Sequence, residues 1–172
     1  MSTKFANHFQ RALLVITTSL GIVSCQSSPQ PLVLVETTIG EIQHALVTRK
    51  TTCHEVVSTY LQRIENYDKS SGINAITVIN PEALSRAEEV DRALVSNSPL
   101  PELFCTPIVV KDNFDTHDMI TTGGSITLQE NYPPDDAFMV RKLRNAGAII
   151  VAKTNLTHSF REGAIRIIRV DS

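Results

Sequence analysis

Pro107-Ile108-Val109-Val110-Lys111-Asp112-Asn113 is a β-branched apolar run that ends in a lysine and passes at once into a turn-prone Asp-Asn pair. Such a run, with Phe104 before it, reads as a buried strand over Phe104 to Val110, and the Asp-Asn pair as its exit into a loop. A surface lysine normally alternates with polar neighbours; Lys111 instead stands at the mouth of an apolar strand. Downstream, Tyr132-Pro-Pro-Asp-Asp136 reads as a stop followed by a helix N-cap. Ala137, Val140 and Leu143 then carry a helix through Arg144 that Gly147 closes. Ala148-Ile-Ile-Val-Ala152 is a second strand of the buried type, again followed by a lysine, Lys153.

Working outward, Leu32 to Val35 is a short apolar lead-in. Thr38-Ile-Gly-Glu41 and Thr52-Cys-His-Glu55 are capping boxes. The first opens a helix through Lys50 with Ile39, Ile42, Ala45 and Leu46 on one face. The second opens a longer helix whose stripe is Val56, Tyr60, Ile64 and Tyr67, widened by Val57 and Leu61. His44 and His54 sit near these caps and read as surface or capping residues. Asn74 to Ile79 reads as a strand. From Asn80-Pro81 a helix follows, with Ala83, Leu84, Ala87, Val90, Ala93 and Leu94 inward and Glu82, Arg86, Glu88, Glu89, Asp91 and Arg92 as its solvated face. Strand, helix, strand, loop, helix, strand predicts an α/β sheet with parallel crossovers. Ligands in such sheets bind beyond the carboxyl ends of the strands, where Lys111 stands.

The loop from Asp112 to Thr122 is polar. Asp115, His117 and Asp118 match no standard metal-ligand spacing, so a hydrogen-bonded loop is the reading. Gly123-Gly124-Ser125 lacks the Gly/Lys pattern of a phosphate loop. The chain has 172 residues, 42% hydrophobic and 20% charged, enough for one domain with a core. A net charge of −2 offers no basic field for nucleic acid, and 5% aromatics with no Trp offer no stacking platform.

The first thirty residues differ in kind. Lys4 and Arg11 precede an uncharged apolar stretch, Ala12 to Val23. As a helix it would be about 18 Å long, too short for a membrane span and suited to the apolar core of a secretory signal. Ile22-Val23-Ser24-Cys25 resembles a bacterial lipobox, in which Cys25 would be lipidated; an ordinary signal cut near Ser24 or Ser28 is the alternative. Gln26 to Gln30 then reads as a polar tether. Either way the protein is expected to be exported, touching a membrane only through a lipid on Cys25. Cys53 and Cys105 remain; two cysteines do not make a disulfide framework or a four-ligand zinc site, and both read as small core residues.

Three stretches together resemble the amidase signature family: Pro107-Ile-Val-Val-Lys-Asp-Asn-Phe-Asp-Thr116, Thr121-Thr-Gly-Gly-Ser125, and Asp136 through Asn155. Order and spacing match as well as letters, and the resemblance runs from about Thr38 to Phe160. It implies part of the mixed, largely parallel sheet of that fold, and hydrolysis of carboxylic amide C–N bonds by a Ser–cis-Ser–Lys triad. It implies no metal or organic cofactor and a small amide as substrate. It also implies that Lys111 is the triad lysine. A lysine acts as a base only when neutral, and an apolar surrounding such as Ile108, Val109 and Val110 favours that form. Read from the residues alone, the simpler placement has the stem on the strand and the head in solvent.

The resemblance divides the chain into a signal (1–25), a tether (26–36), the N-terminal part of an amidase domain (37–160) and a tail (161–172) whose three arginines among β-branched residues depart from the family. The two family serines belong to Gly/Ser-rich segments downstream of the Thr154-Asn155 strand end, and nothing here matches them. Ser125 takes no catalytic role, and Ser159 reads as a helix start. The expectation is a truncated amidase, inactive alone and exposing an apolar sheet face. The alternative is an exported lipoprotein or interaction module derived from an amidase. Ammonia transfer within a larger transamidase fits poorly with an export signal. Asn155-Leu-Thr157 is a formal glycosylation acceptor just after a buried strand.

Overall fold

The computed structural model describes residues 34–156; the signal-like segment, Cys25, the tail and Ser159 lie outside the described residues. Both capping boxes form. Thr38 Oγ1 accepts the Glu41 N–H and the Glu41 carboxylate accepts the Thr38 N–H, opening α1 (Ile39–Val47). Thr52 and Glu55 do the same for α2 (Cys53–Ile64). α1 stops short of Lys50 because Arg49 turns left-handed (φ 57°) and the Lys50 N–H returns to Ala45. Ile39, expected on the inner face, is exposed; Ile42, Ala45 and Leu46 are buried.

The stripe of α2 breaks where the helix widens into a π-turn, Glu65–Lys69. The extra residue throws Tyr67 outward, where the Arg63 guanidinium covers its ring at 5.4 Å. It also carries Asp68 inward, so that its carboxylate accepts the N–H groups of Ala75 (2.6 Å) and Ile76 (3.3 Å). A helix bulge thus starts the first strand, β1 (Ile76–Ile79), later than the expected Asn74. α3 (Ala83–Val95) follows and buries Ala83 and Ala87. Asp91, read as part of a solvated face, instead receives the N–H groups of Cys53 (2.7 Å) and His54 (3.0 Å). It satisfies the orphan donors of α2 and complements that helix's positive end.

The sheet has strand order β1-β3-β2. β2 (Thr106–Lys111) and β3 (Ala148–Thr154) run parallel, paired from Thr106↔Ala148 to Lys111↔Thr154 with a register shift after Ile108, and α4 (Phe138–Asn145) lies in the crossover. β1 pairs antiparallel with the other side of β3, which makes the sheet mixed. β3 is therefore central, and Ala148 through Lys153 are all buried. One core gathers Ile42, Leu46, Val56, Val57, Ala83, Ala87, Ile149 and Val151 from α1, α2, α3 and β3. A second gathers Val110, Met119, Val140 and Ile150 from β2, the following loop, α4 and β3. No side-chain cap forms at the start of α4; Asp136 is engaged elsewhere.

Cys53 and Cys105 are joined in a disulfide, with Cα atoms 5.7 Å apart. This corrects the reading of the two as unpaired core residues: they are indeed fully buried, but fifty-two residues of chain fold back to bring them into contact. Gly147 closes α4 at φ 94°, and a Cβ there would lie 2.5 Å from Pro101 Cγ and 3.0 Å from the Phe104 nitrogen.

Two measurements test these ties. Opening the disulfide with Cys53→Ala, in a loop of this length, is expected to lower unfolding free energy by about 2–4 kcal/mol in a denaturant titration. Gly147→Ala, which meets both a forbidden φ and close backbone, is expected to cost about 1–3 kcal/mol by the same titration.

Candidate functional site

Lys111 is the last residue of β2, at the carboxyl end of the parallel pair. Side chains alternate along a strand, so Val110 and Asp112 face one way, into the second core, and Lys111 the other. Lys111 is exposed, and its Nζ donates to the Asn155 carbonyl at 2.7 Å. The residue that carries this carbonyl is itself held: the Asn155 N–H donates to Ala75 O (2.7 Å), and its side-chain amide to Asn74 O (3.0 Å). The apolar wall expected around Lys111 does not enclose it; Val109 is 45% exposed, and β2 is an edge strand among the described residues. The stem-on-strand, head-in-solvent placement is the one observed.

The buried lysine is Lys153, at 0% exposure. It pairs in register with Val110, on the same side as Asp112. Its ammonium lies 3.6 Å from Asp112 Oδ1 and donates to Thr121 Oγ1. Asp112, 1% exposed, accepts the Thr122 N–H (3.2 Å) and the Thr122 hydroxyl. The Thr122 hydroxyl oxygen accepts the Gly124 N–H (3.1 Å), and the Asp112 carbonyl accepts the Gly123 N–H (3.0 Å). Thr121-Thr-Gly-Gly is thus folded around the Asp112 carboxylate, with Gly123 and Gly124 both at positive φ. Burial pushes the Lys153 ammonium below the usual lysine range, opposed by the negative charges of Asp112, Asp115 and Asp118. Sequence reasoning does not single out this cluster; the signals that could have located it are that Lys153 ends the same kind of apolar run as Lys111, and that Asp112 falls two residues after Val110.

The other polar residues of the loop form a second network. Arg144 reaches both oxygens of Asp118 at 2.7 Å and, through Nε, Asp136 at 3.0 Å. Asp118 also accepts from the Asn80 side chain (2.8 Å), which binds the Ile150 carbonyl as well (2.7 Å). Asp136 accepts from the His117 backbone (3.1 Å) and lies 2.9 Å from its ring. Burial works to raise the Asp136 carboxyl, but the His117 bonds and the Arg144 charge outweigh it and hold the group below its usual range. Asp115, His117 and Asp118 do not converge. Glu82, His117 and Asp118 do approach one another, but Asp118 is taken by Arg144 and Glu82 by Arg86, so the geometry is that of an ion-pair network. The Ser125 hydroxyl is bonded to that of Thr127.

A parallel strand pair that ends in a lysine, with a Thr-Thr-Gly-Gly turn wrapped on the next residue, is a strand-end arrangement of an α/β fold. The family model described as Amidase matches residues 55–161. A glutamyl-tRNA(Gln) amidotransferase chain from Lawsonia intracellularis is 38% identical over 123 residues, covering 71% of this chain and 24% of that protein. Its counterpart in Geobacter sulfurreducens is 42% identical over 123 residues, covering 71% and 25%. Among solved structures, native peptide amidase from Stenotrophomonas maltophilia superposes with a TM-score of 0.67 at 35% identity, covering 71% of this chain and 25% of that one. An amidase family protein from Bacillus anthracis gives 0.68 at 32%, covering 73% and 26%. The chain belongs to the amidase signature family. It spans about a quarter of the length of the relatives it matches.

The buried pair makes two predictions. Lys153→Met strands the Asp112 carboxylate without its partner and is expected to cost about 3–5 kcal/mol in a denaturant titration. The second concerns pH. A lysine depressed in the folded state binds fewer protons there than when unfolded, so stability rises with pH between its folded value and the ordinary 10.5. Melting scans from pH 7 to 10.5 are expected to show this rise, and the paired apolar replacement Asp112→Leu/Lys153→Met to flatten it.

Proposed function

We propose that this chain supplies the lysine-bearing part of an enzyme that hydrolyses carboxylic amide C–N bonds, with Lys111 as the lysine of a Ser–cis-Ser–Lys triad. The observation that carries the reading is the position of Lys111: the carboxyl end of β2, accessible, with its Nζ oriented by the Asn155 carbonyl, inside the region matched by the family. A lysine there can take the proton of a serine hydroxyl as that oxygen attacks an amide carbonyl, and return it to the departing nitrogen. The enclosure that would favour the neutral amine has to come from protein packed over the exposed face of β2. The substrate is a small amide, and the triad chemistry calls on no metal or organic cofactor.

By itself the 172-residue chain is proposed to be inactive. A triad acts as a unit, and a lone lysine does not replace the nucleophile. The exposed part of the edge strand β2, with Val109 45% exposed, should also make the chain bind hydrophobic dyes. The protein is proposed to be exported. The signal-like first residues support this, and so does the Cys53–Cys105 disulfide, since such bonds persist in oxidising compartments. The same features disfavour the tRNA-dependent amidotransferase role named for its relatives, and the net charge of −2 offers no field for tRNA.

The test uses the purified chain alone, and the chain joined to the serine-bearing remainder of peptide amidase, on simple aryl and aliphatic amides. No turnover alone is expected. Turnover in the joined protein is expected to fall on the order of 10²–10⁴-fold with Lys111→Ala. Amide cleavage by the chain alone that Lys111→Ala abolishes would sink the inactivity proposal.

A further inference from the structure

We infer that Asp112 and Lys153 are positioning residues for Lys111: their buried contact clamps the ends of β2 and β3 together and so holds the Lys111 ammonium on the Asn155 carbonyl. This rests on the reading of Lys111 as the working amine, and extends it to the groups that aim it.

The argument starts from where polar groups are not needed. A 0%-exposed lysine beside a 1%-exposed aspartate is an arrangement that apolar residues of similar size often match or better for stability alone. Its placement is local to Lys111. Asp112 follows Lys111 in the chain, and Thr154 and Asn155 follow Lys153. The Asp112 N–H donates to the Thr154 carbonyl at 3.0 Å, one residue before the carbonyl that receives Lys111. The Asp112 carboxylate pins the Thr122 turn beneath the strand end, and Lys153 reaches both that carboxylate and Thr121. Three chain segments that could let Lys111 swing are thereby tied at one point: the end of β2, the end of β3 and the turn at Thr121–Gly124; Asn155, next along from Thr154, is held separately by Asn74 and Ala75 just before β1. The tie lies on the opposite side of the sheet from the Lys111 side chain, so it acts on Lys111 only through the backbone.

The chain is prepared with lysine labelled at Cε, and the order of each lysine side chain is measured by NMR relaxation; Lys111→Arg assigns the signal. Lys50, exposed and outside any helix or strand, is the internal standard for a free lysine. In the native chain Lys111 is expected to be clearly more ordered than Lys50. In Asp112→Leu/Lys153→Met, which leaves no buried charge unpaired, it is expected to fall to the Lys50 level while a cooperative melt is kept. Thr122→Val, which removes one bond to Asp112 and no charge, is expected to produce a partial loss and covers the case in which the double variant does not fold. The inference is overturned if native Lys111 is already as mobile as Lys50, or if it keeps its order in a folded variant lacking the tie. The readout is side-chain order, not turnover. A failure here leaves the Lys111→Ala activity test standing, and a failure there leaves this one standing.

Discussion

An ammonium and a carboxylate, both out of water, meet where β2 and β3 end. Removing two charges from water is costly, and their attraction offsets the loss only when the remaining donors and acceptors are also met. Here they are met by Thr121, Thr122 and, at one remove, the two glycines that let the chain turn tightly around them. The turn therefore has one place to go. With it fixed, the loop from Asn113 onward is led across the second core to Met119, and Arg144 of α4 can reach back to Asp118 and Asp136. The crossover that makes β2 and β3 parallel is tied down at both ends by ion pairs of this kind.

The fold divides the labour between its two faces. One side of the sheet is packed by α1, α2 and α3 and cross-linked to α2 through Cys105; the other is packed by α4 and the polar loop. Lys111 belongs to neither packing. It faces away from the buried cluster at the strand ends, and its freedom is limited by a main-chain carbonyl instead of a carboxylate.

Much of this was legible in the residues. Apolar runs bounded by turn formers located the three strands among the described residues, and two capping boxes located the starts of α1 and α2. The spacing of the strand-end motifs pointed to the family. What escaped did so for definite reasons. Both Lys111 and Lys153 end apolar runs, and the strand order, with β3 central and β2 at the edge, together with the side each lysine faces, decides which of them is buried. Of the apolar residues read around Lys111, Val110 stands opposite Lys153, and Val109 is exposed. Asp91 looks like its charged neighbours until the packing of α3 on α2 aims it at two unpaired N–H groups. The π-turn that exposes Tyr67 and buries Asp68 changes the helical period within a stripe, and a pattern assuming constant period cannot show it. The disulfide depends on contact between residues far apart in sequence, which spacing alone does not encode.

That disulfide closes a covalent ring containing α2, β1 and α3, while β2, α4 and β3 lie outside it. A protease that nicks the exposed stretch from Ser96 to Pro99 opens the ring without separating its parts. The severed ends stay joined through sulfur, and β1 stays paired to β3 from the far side of the cut. In an environment that degrades loops and does not reduce cystine, the surface that carries Lys111 would outlast the continuity of its own backbone.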